Sequence, residues 1–485
     1  MADVFKAASA QQESALLVQW LARAEALLIS PTLESIDGEQ ALENLSLELR
    51  RRWLIEVHTG SARYLMSPPH AQIKSLADGT RVHYPYARWL KPKLLEQRLA
   101  AHRPPPKGWS GRTLLFANGM SAITTTLQVY RTLAAKLLPR AKKRPLSLHW
   151  FGGYFEITRA LKLLCDDYFH GRKHAQQSAL CDVVARGAAD LILIEPVAAD
   201  LELEVFDLDA FIAAYKRRTS KRPCTIVIDE SLSADTFPVA RLCHELSDDP
   251  PALVISIRSA LKLDQEGLEL ANGGLVHLWT PSDDKNTERL DHFAFDLAQA
   301  RTTLGVSLSQ DEYAALSVPF FLDPTSLTNH AAAVYANNRR LAQTLAQSVD
   351  PDTGLLDRVI HPSLNPVHTQ PWAEAPFVNL RYRSDDPSAR AFLRVVLEFE
   401  STQRKLSFRS ASSFGFRGHR FEMGFVRGAK FNTLRVAMGA RRGPALDGVI
   451  QLFQDLAAYP DFGALRKAYP HIEAQHPKDR VQDET

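Results

Sequence analysis

The sequence predicts an α/β protein of three layers, in which helices cover both faces of a mainly parallel sheet. Between residues 111 and 280, apolar runs of strand length alternate with helical stretches; the runs are RTLLFA, PLSLHWF, DLILIEP, CTIVIDE, ALVISIR and GGLVHLW. Strands covered on both faces show continuous rather than alternating hydrophobicity, and helices between them serve as crossovers. With 485 residues and 45% hydrophobic content, the chain can bury a large core and form more than one structural unit.

Further units flank this region. We expect a helical extension over residues 1–82, because large apolar residues recur there near helical spacing. These are Leu16, Leu17, Trp20, Leu21, Leu42, Leu45, Leu47 and Leu49. A large domain is predicted over 83–325, and a helix over 325–348 leads into a smaller α+β domain at 326–470 with the strand-like pieces APFVNLRYR and NTLRVAMG. The polar end of the chain, 471–485, is predicted to be a flexible tail.

Composition and charge exclude several kinds of partner. The 58 Lys and Arg residues nearly balance the 55 Asp and Glu residues, so neither nucleic acid nor an acidic membrane surface is indicated. The four cysteines lie far apart without a CxxC pair, which indicates no zinc site or other metal site and no disulfide scaffold, and which favours a cytoplasmic location. The sequence also lacks the roughly 20 consecutive apolar residues that would cross a bilayer.

A possible anion site follows the first predicted strand. After LLFA, the residues Asn118, Gly119 and Met120 lead into a helix. Glycine lets the backbone approach a ligand closely, and the first N–H groups of a helix are unpaired and carry partial positive charge, which suits a phosphate. An ordinary Asn-Gly turn before a helix is the alternative explanation.

Carboxylates end two further strands. Asp229 follows TIVI and Glu195 follows LILI. A carboxylate at the end of a buried strand is costly unless it meets a cation or hydrogen-bond donors, so each of them needs a partner. A helix cap is the alternative role.

A lysine follows the next strand. Lys262 lies between Leu261 and Leu263, and Gly267 comes shortly after it. A desolvated lysine loses its proton more readily and becomes a nucleophile that forms Schiff bases, although most lysines are solvated on the surface. A phosphate site, a strand-end aspartate and a strand-end amine are together what pyridoxal phosphate requires. They provide an anchor, a partner for the pyridinium nitrogen and an acceptor for the aldehyde.

With these residues the chain resembles the fold-type I pyridoxal-phosphate enzymes, in particular the cystathionine synthase and lyase group, over roughly residues 84–460. YARWLKPKLLEQRLA is similar to that group's Tyr-x-Arg-x-x-x-Pro segment. The resemblance implies that Tyr86 and Arg88 bind the phosphate of a neighbouring subunit's cofactor. It therefore implies a homodimer with shared active sites, and it leaves open whether dimers pair into a homotetramer.

The remaining motifs occur in the group's order. NGM resembles Ser-Gly-Met, FGGYF resembles the segment with the stacking aromatic ring, DESLSA resembles Asp-Asn-Thr, and SALK resembles Ser-x-Thr-Lys. The cofactor contacts implied by the resemblance are Asn118, Gly119, Met120, Phe151, Asp229, Ser259 and Lys262, with Lys262 as the Schiff-base lysine. NTLRVAMG and SASSFGF resemble the substrate-binding segments, which implies that Arg435 clamps the α-carboxylate and that Ser412 lies beside it.

Several positions depart from the group's pattern. Phe151 stands where the lyases carry a tyrosine, so it can stack but cannot transfer a proton, and Lys262 would carry more of the proton traffic. Ala199 replaces an asparagine that touches the cofactor, and Leu261 replaces a threonine on the phosphate side. Arg258 could make the phosphate contact of that threonine, and an ordinary surface arginine is an equal alternative.

The resemblance implies a pyridoxal-phosphate lyase acting on a small amino acid that carries a leaving group at the γ or β carbon. The departures favour a specialised branch, such as one that makes an alkyne-bearing amino acid. An aminotransferase uses the same lysine, aspartate and arginine and is the alternative within enzymes. A catalytically silent relative that binds a cofactor or a partner is the alternative outside them.

Overall fold

The computed structural model describes residues 35–62, 72–75, 81–84, 90–137, 144–350, 352–365, 370, 372–383, 387–424 and 431–475. Tyr86 and Arg88, the extension before residue 35 and the end of the chain from residue 476 lie outside the described residues. The predictions made for them therefore stay predictions.

The large domain is built on a seven-stranded sheet with the strand order β3-β9-β8-β7-β6-β4-β5. Its strands are β3 (Trp109–Phe116), β4 (Leu146–Phe151), β5 (Phe169–His174), β6 (Leu191–Ile194), β7 (Thr225–Asp229), β8 (Leu253–Ser259) and β9 (Gly274–Pro281). β9 alone runs antiparallel to its neighbours within this sheet. The six predicted strands are all present, and the mainly parallel sheet is confirmed.

Helices cover both faces of this sheet because alternate residues of its apolar strands point to opposite sides. Leu193 and Ile255 belong to one apolar cluster, and Ile192 and Val254 belong to the other. The helices of the large domain are α2 (Lys93–His102), α3 (Gly119–Leu137), α4 (Phe155–Leu164), α5 (Gln177–Ala185), α6 (Leu208–Lys216), α7 (Val239–Glu245), α8 (Asp284–Thr303) and α9 (Gln310–Leu316). Residues of α3, α4 and α8 pack on the first face, and residues of α5, α6 and α7 pack on the second. The predicted three-layer arrangement is thereby confirmed.

A long helix, α10 (Pro324–Ala346), leads into the small domain as predicted. Asp323 caps it by accepting a hydrogen bond from the backbone N–H of Ser326. The small domain contains β10 (Leu356–Ile360), a short 3₁₀ helix (Pro362–Leu364), β11 (Val378–Tyr382), α11 (Pro387–Gln403), β12 (Phe408–Ser410), β13 (His419–Gly424), β14 (Asn432–Ala437), α12 (Pro444–Ala457), α13 (Phe462–Ala468) and α14 (Pro470–Gln475). Its sheet has the strand order β10-β11-β14-β13-β12 and packs against helices around a separate apolar core.

The two ends of the chain differ from the sequence-based expectation. The extension contains the predicted helix, α1 (Ile36–Ala62), but it is followed by an antiparallel pair of strands, β1 (Gln72–Ser75) and β2 (Arg81–Tyr84), where only helices were expected. Near the other end, Ile472 is buried in the core of the small domain, so the packed chain extends into the segment predicted to be a tail.

Candidate active site

A cavity of about 460 Å³ opens where the strands of the large domain end and the small domain faces them. It brings together most of the residues singled out in the sequence, namely Asn118, Gly119, Met120, Asp229, Ser259, Lys262, Ser412 and Arg435. A volume of this size lies within the range of small-molecule sites in proteins.

Lys262 follows β8 and reaches across the boundary between the domains. Its Nζ donates a hydrogen bond to the Oγ of Ser413 and lies 5.2 Å from the centre of the Phe414 ring. Burial lowers the pKa of Lys262, and the positive charges of Arg435 and Arg420 lower it further. A lowered pKa increases the neutral fraction of the amine near neutral pH, which is the reactive form in imine chemistry.

The backbone beside Lys262 has an unusual conformation. Ser413 has φ +77° and Gly415 has φ +81°, both in the left-handed region. A Cβ on Gly415 would lie 2.8 Å from the carbonyl oxygen of Lys262, so a glycine is required there. Non-glycine residues in this region cluster at functional sites, which fits the contact between Ser413 and the lysine.

Asp229 ends β7 and is buried. Its Oδ1 accepts a hydrogen bond from the backbone N–H of Ser231 at 3.0 Å. Burial raises the pKa of Asp229, and the hydrogen bonds from Ser231 offset part of that rise. A buried carboxyl group with a raised pKa is one that a nearby cation would stabilise in its charged form.

The start of α3 forms a narrow backbone cradle. The Oδ1 of Asn118 accepts a hydrogen bond from the N–H of Ser121 at 2.8 Å, so Asn118 caps the helix. A Cβ on Gly119 would lie 3.0 Å from the Cβ of Ser259, and a Cβ on Gly274 would lie 2.2 Å from the carbonyl oxygen of Asn118. The glycines therefore allow the helix start and the end of β8 to lie side by side at the cavity. The Asn-Gly turn is present, and because the capped helix start lines the cavity, the anion site stays a prediction that this geometry allows.

Arg435 lies on β14, at the opposite side of the cavity. Its Nη1 donates to the Oε2 of Glu422 at 3.2 Å, and its guanidinium carbon lies 4.5 Å from the centre of the Phe377 ring. Burial lowers the pKa of Arg435. Its Nε is buried and has no hydrogen-bond partner within the described part of the chain. An arginine edge of this kind fits a carboxylate.

Ser412 lines the cavity, but its hydroxyl donates to the Oε1 of Glu422 at 2.9 Å. The serine that contacts Lys262 is its neighbour Ser413, which sequence reasoning missed. A signal was available, because in SASSFGF the serine followed by an apolar residue and a glycine is Ser413.

Phe151 does not line the cavity, and the implied stacking role is wrong for this residue. It is the last residue of β4, only 2% exposed, and its ring lies 5.7 Å from that of Phe206 in the core. The strand continues through this position, so the ring points into the core between the sheet and its helices. The aromatic residues of FGGYF that line the cavity are Tyr154 and Phe155, and the hydroxyl of Tyr154 donates to the carboxylate of Glu156.

Glu195 holds the turn that carries Tyr154. Its carboxylate accepts hydrogen bonds from the N–H groups of Gly153 at 2.9 Å, Tyr154 at 3.1 Å and Ala199 at 2.7 Å. Burial and the negative charge of Asp229 raise the pKa of Glu195 to about 7, against the opposing effect of these hydrogen bonds. The partner expected for Glu195 is thus the backbone, and Ala199 contributes its N–H to the same carboxylate.

Both explanations offered for Arg258 are wrong. Its side chain is 2% exposed and forms ion pairs with Asp235 and, at 2.7 Å, with Asp264, so it is neither a surface residue nor free to bind a phosphate. Arg258 lies on β8 and forms a buried network of charges with Asp235 and Asp264. Leu261, next to the lysine in sequence, lines the cavity.

No protein-family model matches the chain, and no curated protein matches it in sequence. Solved structures resemble it in fold. A methionine gamma lyase from Micromonospora echinospora, CalE6, is similar over 81% of this chain and 93% of its own, with a TM-score of 0.53 and 16% identity. Cystathionine gamma-lyase from yeast is similar over 83% and 97%, with a TM-score of 0.53 and 16% identity. MetB from Corynebacterium glutamicum is similar over 77% and 86%, with a TM-score of 0.52 and 15% identity.

The chain therefore has the type I fold of the pyridoxal-phosphate enzymes, as the motifs predicted. Within the described ranges, no helix is both long and apolar enough to cross a membrane. The four cysteines are free thiols.

Proposed function

We propose that the chain is a pyridoxal-phosphate-dependent lyase that expels a leaving group from the γ or β carbon of an amino acid. The observation that carries this proposal is the convergence of Lys262, Asp229, Arg435 and the start of α3 on one cavity. These groups belong to four separate elements, and core packing alone gives no reason for them to meet. When bound, the cofactor supplies an electron sink for negative charge at the substrate's α carbon.

The residues present fit that cofactor. Asp229 is buried with a raised pKa and has no ion-pair partner among the described residues, and a protonated ring nitrogen would provide one. The first N–H groups of α3 suit the phosphate, beside Ser259. Lys262 lines the same cavity with a lowered pKa, which suits the residue that holds the aldehyde.

Each side chain has a distinct task in this proposal. The Nε edge of Arg435 holds the substrate's α-carboxylate, and the amine of Lys262 removes the α-proton. The hydroxyl of Tyr154, bonded to Glu156, provides a proton at the leaving group. Burial and the bond to Glu156 raise the pKa of Tyr154, which keeps its hydroxyl protonated. Tyr154 thus takes part of the proton traffic that the sequence had led us to expect of Lys262.

The departures at Ala199 and Leu261 favour a specialised substrate. An example is an unsaturated amino acid that loses halide to give an alkyne. The active form is a homodimer in the cytoplasm, in which Tyr86 and Arg88 of each subunit reach the other subunit's cofactor. Pairing of dimers into a homotetramer is compatible with this scheme.

The test has two parts. Borohydride reduction of the cofactor-loaded protein, followed by peptide mapping, is expected to tag Lys262. Lys262→Ala is expected to be colourless and inactive, whereas the exposed control Lys285→Ala should behave as the natural protein. A tag on another lysine would contradict the proposal.

Product analysis by mass spectrometry with a panel of γ- and β-substituted amino acids then identifies the reaction. We expect release of halide, thiol or ammonia without an added keto acid. Turnover that requires pyruvate or 2-oxoglutarate would indicate an aminotransferase instead. An absorption spectrum that no amino acid changes would indicate a silent binding protein.

The role of Tyr154 has its own test. Tyr154→Phe is expected to lower the rate of elimination by about 100-fold, a typical contribution of a general acid. Exchange of the substrate's α-proton with D₂O, followed by proton NMR, should continue at the natural rate because Lys262 is unchanged. Equal loss of both rates would show that Tyr154 only shapes the cavity.

A further inference from the structure

Helix α1 joins the two domains of the chain. Its first half binds the small domain, where the Glu39 carboxylate accepts a hydrogen bond from the N–H of Ala445 at 2.5 Å and Glu43 forms an ion pair with Arg441. Its second half packs on the large domain, and the Nε1 of Trp53 donates to the carbonyl oxygen of Ala315 at 3.0 Å. A helix fixed at both ends in this way limits how far the domains can move apart.

Between these ends, α1 holds the segment that carries the cofactor lysine. The Nε of Arg50 donates to the carbonyl oxygen of Leu268 at 2.8 Å, and its Nη2 donates to that of Glu269 at 2.8 Å. A cavity of about 180 Å³, lined by Arg50, Leu268 and Glu269 among others, lies beside these contacts. Leu49 and Trp53 of α1 belong to the same apolar cluster as Leu268 and Leu270, and the guanidinium of Arg50 adds a polar connection beside the cavity.

The same segment is bound on its other side by the small domain. Gly267 has φ +71°, and a Cβ there would lie 2.3 Å from the backbone nitrogen of Arg417. The Nη2 of Arg420 lies 3.0 Å from the Oε2 of Glu269. Residues 262–270 therefore pack against residues 412–420. We call this contact between the two segments the seam, and the hydrogen bond from Lys262 to Ser413 is part of it.

We infer that Arg50 is a positioning residue for Lys262, and that α1 is in this way a working part of the active site. Arg50 fixes residues 268 and 269, which keeps the seam closed and holds the amine against Ser413 and away from water. This inference rests on the proposed function only in taking Lys262 as the reacting amine.

The test compares two adjacent arginines of α1. Arg50→Met removes the guanidinium and keeps most of the stem. Arg51→Met is the matched control, because Arg51 forms an ion pair with Glu48 on the same helix and its side chain is 60% exposed. The first measurement uses the protein without cofactor: amine labelling as a function of pH, followed by peptide mass spectrometry, gives the pKa of Lys262.

In Arg50→Met the pKa of Lys262 is expected to rise towards the ordinary lysine value of about 10.4. In Arg51→Met it should match that of the natural protein. On the loaded enzyme, Arg50→Met should lower kcat by about 100-fold, the cost of misplacing a reacting group by about 1 Å, with KM within about two-fold. Identical labelling curves and identical kcat for the two variants would overturn the inference.

Two further cases are covered, a variant that does not fold and a protein that shows no activity. If Arg50→Met does not fold, Arg50→Lys replaces it, because a lysine keeps the charge but lacks the rigid planar fork that presents separate N–H groups to two carbonyl groups. The same shift, smaller in size, is expected, and a labelling curve like that of Arg51→Met would count against the inference. If the natural protein turns over no amino acid while the labelling shift is seen, the proposed function fails and the positioning by Arg50 stands.

Discussion

Glu195 allows a quantitative test of how the cavity is built. Its carboxylate is buried and has a pKa raised from 4.5 to about 7, mainly by burial and by the charge of Asp229. In the unfolded chain the group is solvated and titrates near its ordinary value of about 4.3. The folded state therefore binds the proton more tightly, and stability from this group is complete below about pH 4.3 and is lost as pH rises towards 7.

The magnitude follows from the shift. The rise from about 4.3 to about 7 corresponds to about 4 kcal/mol in total at about 1.4 kcal/mol per pKa unit, of which about 3 kcal/mol is lost between pH 4.5 and pH 8. Glu195→Gln removes this titration, so the difference in unfolding free energy between the natural protein and the variant should change by about 3 kcal/mol over that range. Taking the difference cancels the titration of shared groups that do not interact with Glu195.

The assay is urea unfolding of the cofactor-free protein at half-unit steps of pH, followed by circular dichroism. An exposed carboxylate, Glu288→Gln on α8, serves as the control and should give a flat difference because the side chain of Glu288 is 74% exposed. A flat difference for Glu195→Gln as well would refute the reasoning. It would mean that the three backbone N–H groups fully offset the cost of burying the charge.

Two further predictions concern the small-domain side of the cavity. Glu422→Gln is expected to lower KM for the amino acid by about five-fold with kcat unchanged, because the charge of Glu422 on Nη1 of Arg435 repels the substrate carboxylate held at the Nε edge; steady-state kinetics would check this. An increase in KM would show instead that Glu422 orients the guanidinium. Gly415→Ala is expected to destabilise the protein by about 3 kcal/mol, because its Cβ would clash with the carbonyl oxygen of Lys262 and an alanine is unfavourable at a positive φ. The control Gly305→Ala also has a positive φ, +70°, but open space around it, and should cost about 1 kcal/mol. Equal urea midpoints for these two alanine variants would contradict the clash.

The large domain was predictable from the sequence because its strands are covered on both faces. LILI and TIVID are buried at every position, so their hydrophobic runs are continuous. The edge strand β5, FHGRKH, escaped prediction because its four central residues are exposed and none of them is a large apolar residue. The pair β1 and β2 was missed for a related reason, since QIKS and RVHY contain too few apolar residues to indicate strands.

Residues at strand ends were predictable, and residues placed by turns were not. Asp229 and Lys262 follow buried strands directly, so their positions at the edge of the sheet follow from the sheet itself. Tyr154 and Ser413 reach the cavity through backbone turns, one held by Glu195 and the other with a positive φ. Such turns depend on contacts distant in sequence, and a motif alone therefore pointed to the neighbouring residues.

The carboxyl groups of the cavity show which of them is prepared for a ligand. Glu422 accepts a hydrogen bond from Arg435, Glu156 accepts one from Tyr154, and Glu195 accepts hydrogen bonds from three backbone N–H groups. Among the described residues, hydrogen bonds reach Asp229 from Ser231 alone, although Asp229 is buried. Asp229 forms no ion pair among the described residues, although the charge of Lys262 acts on it. This arrangement fits the proposed function, in which a protonated pyridine ring held by Lys262 would pair with the Asp229 carboxylate.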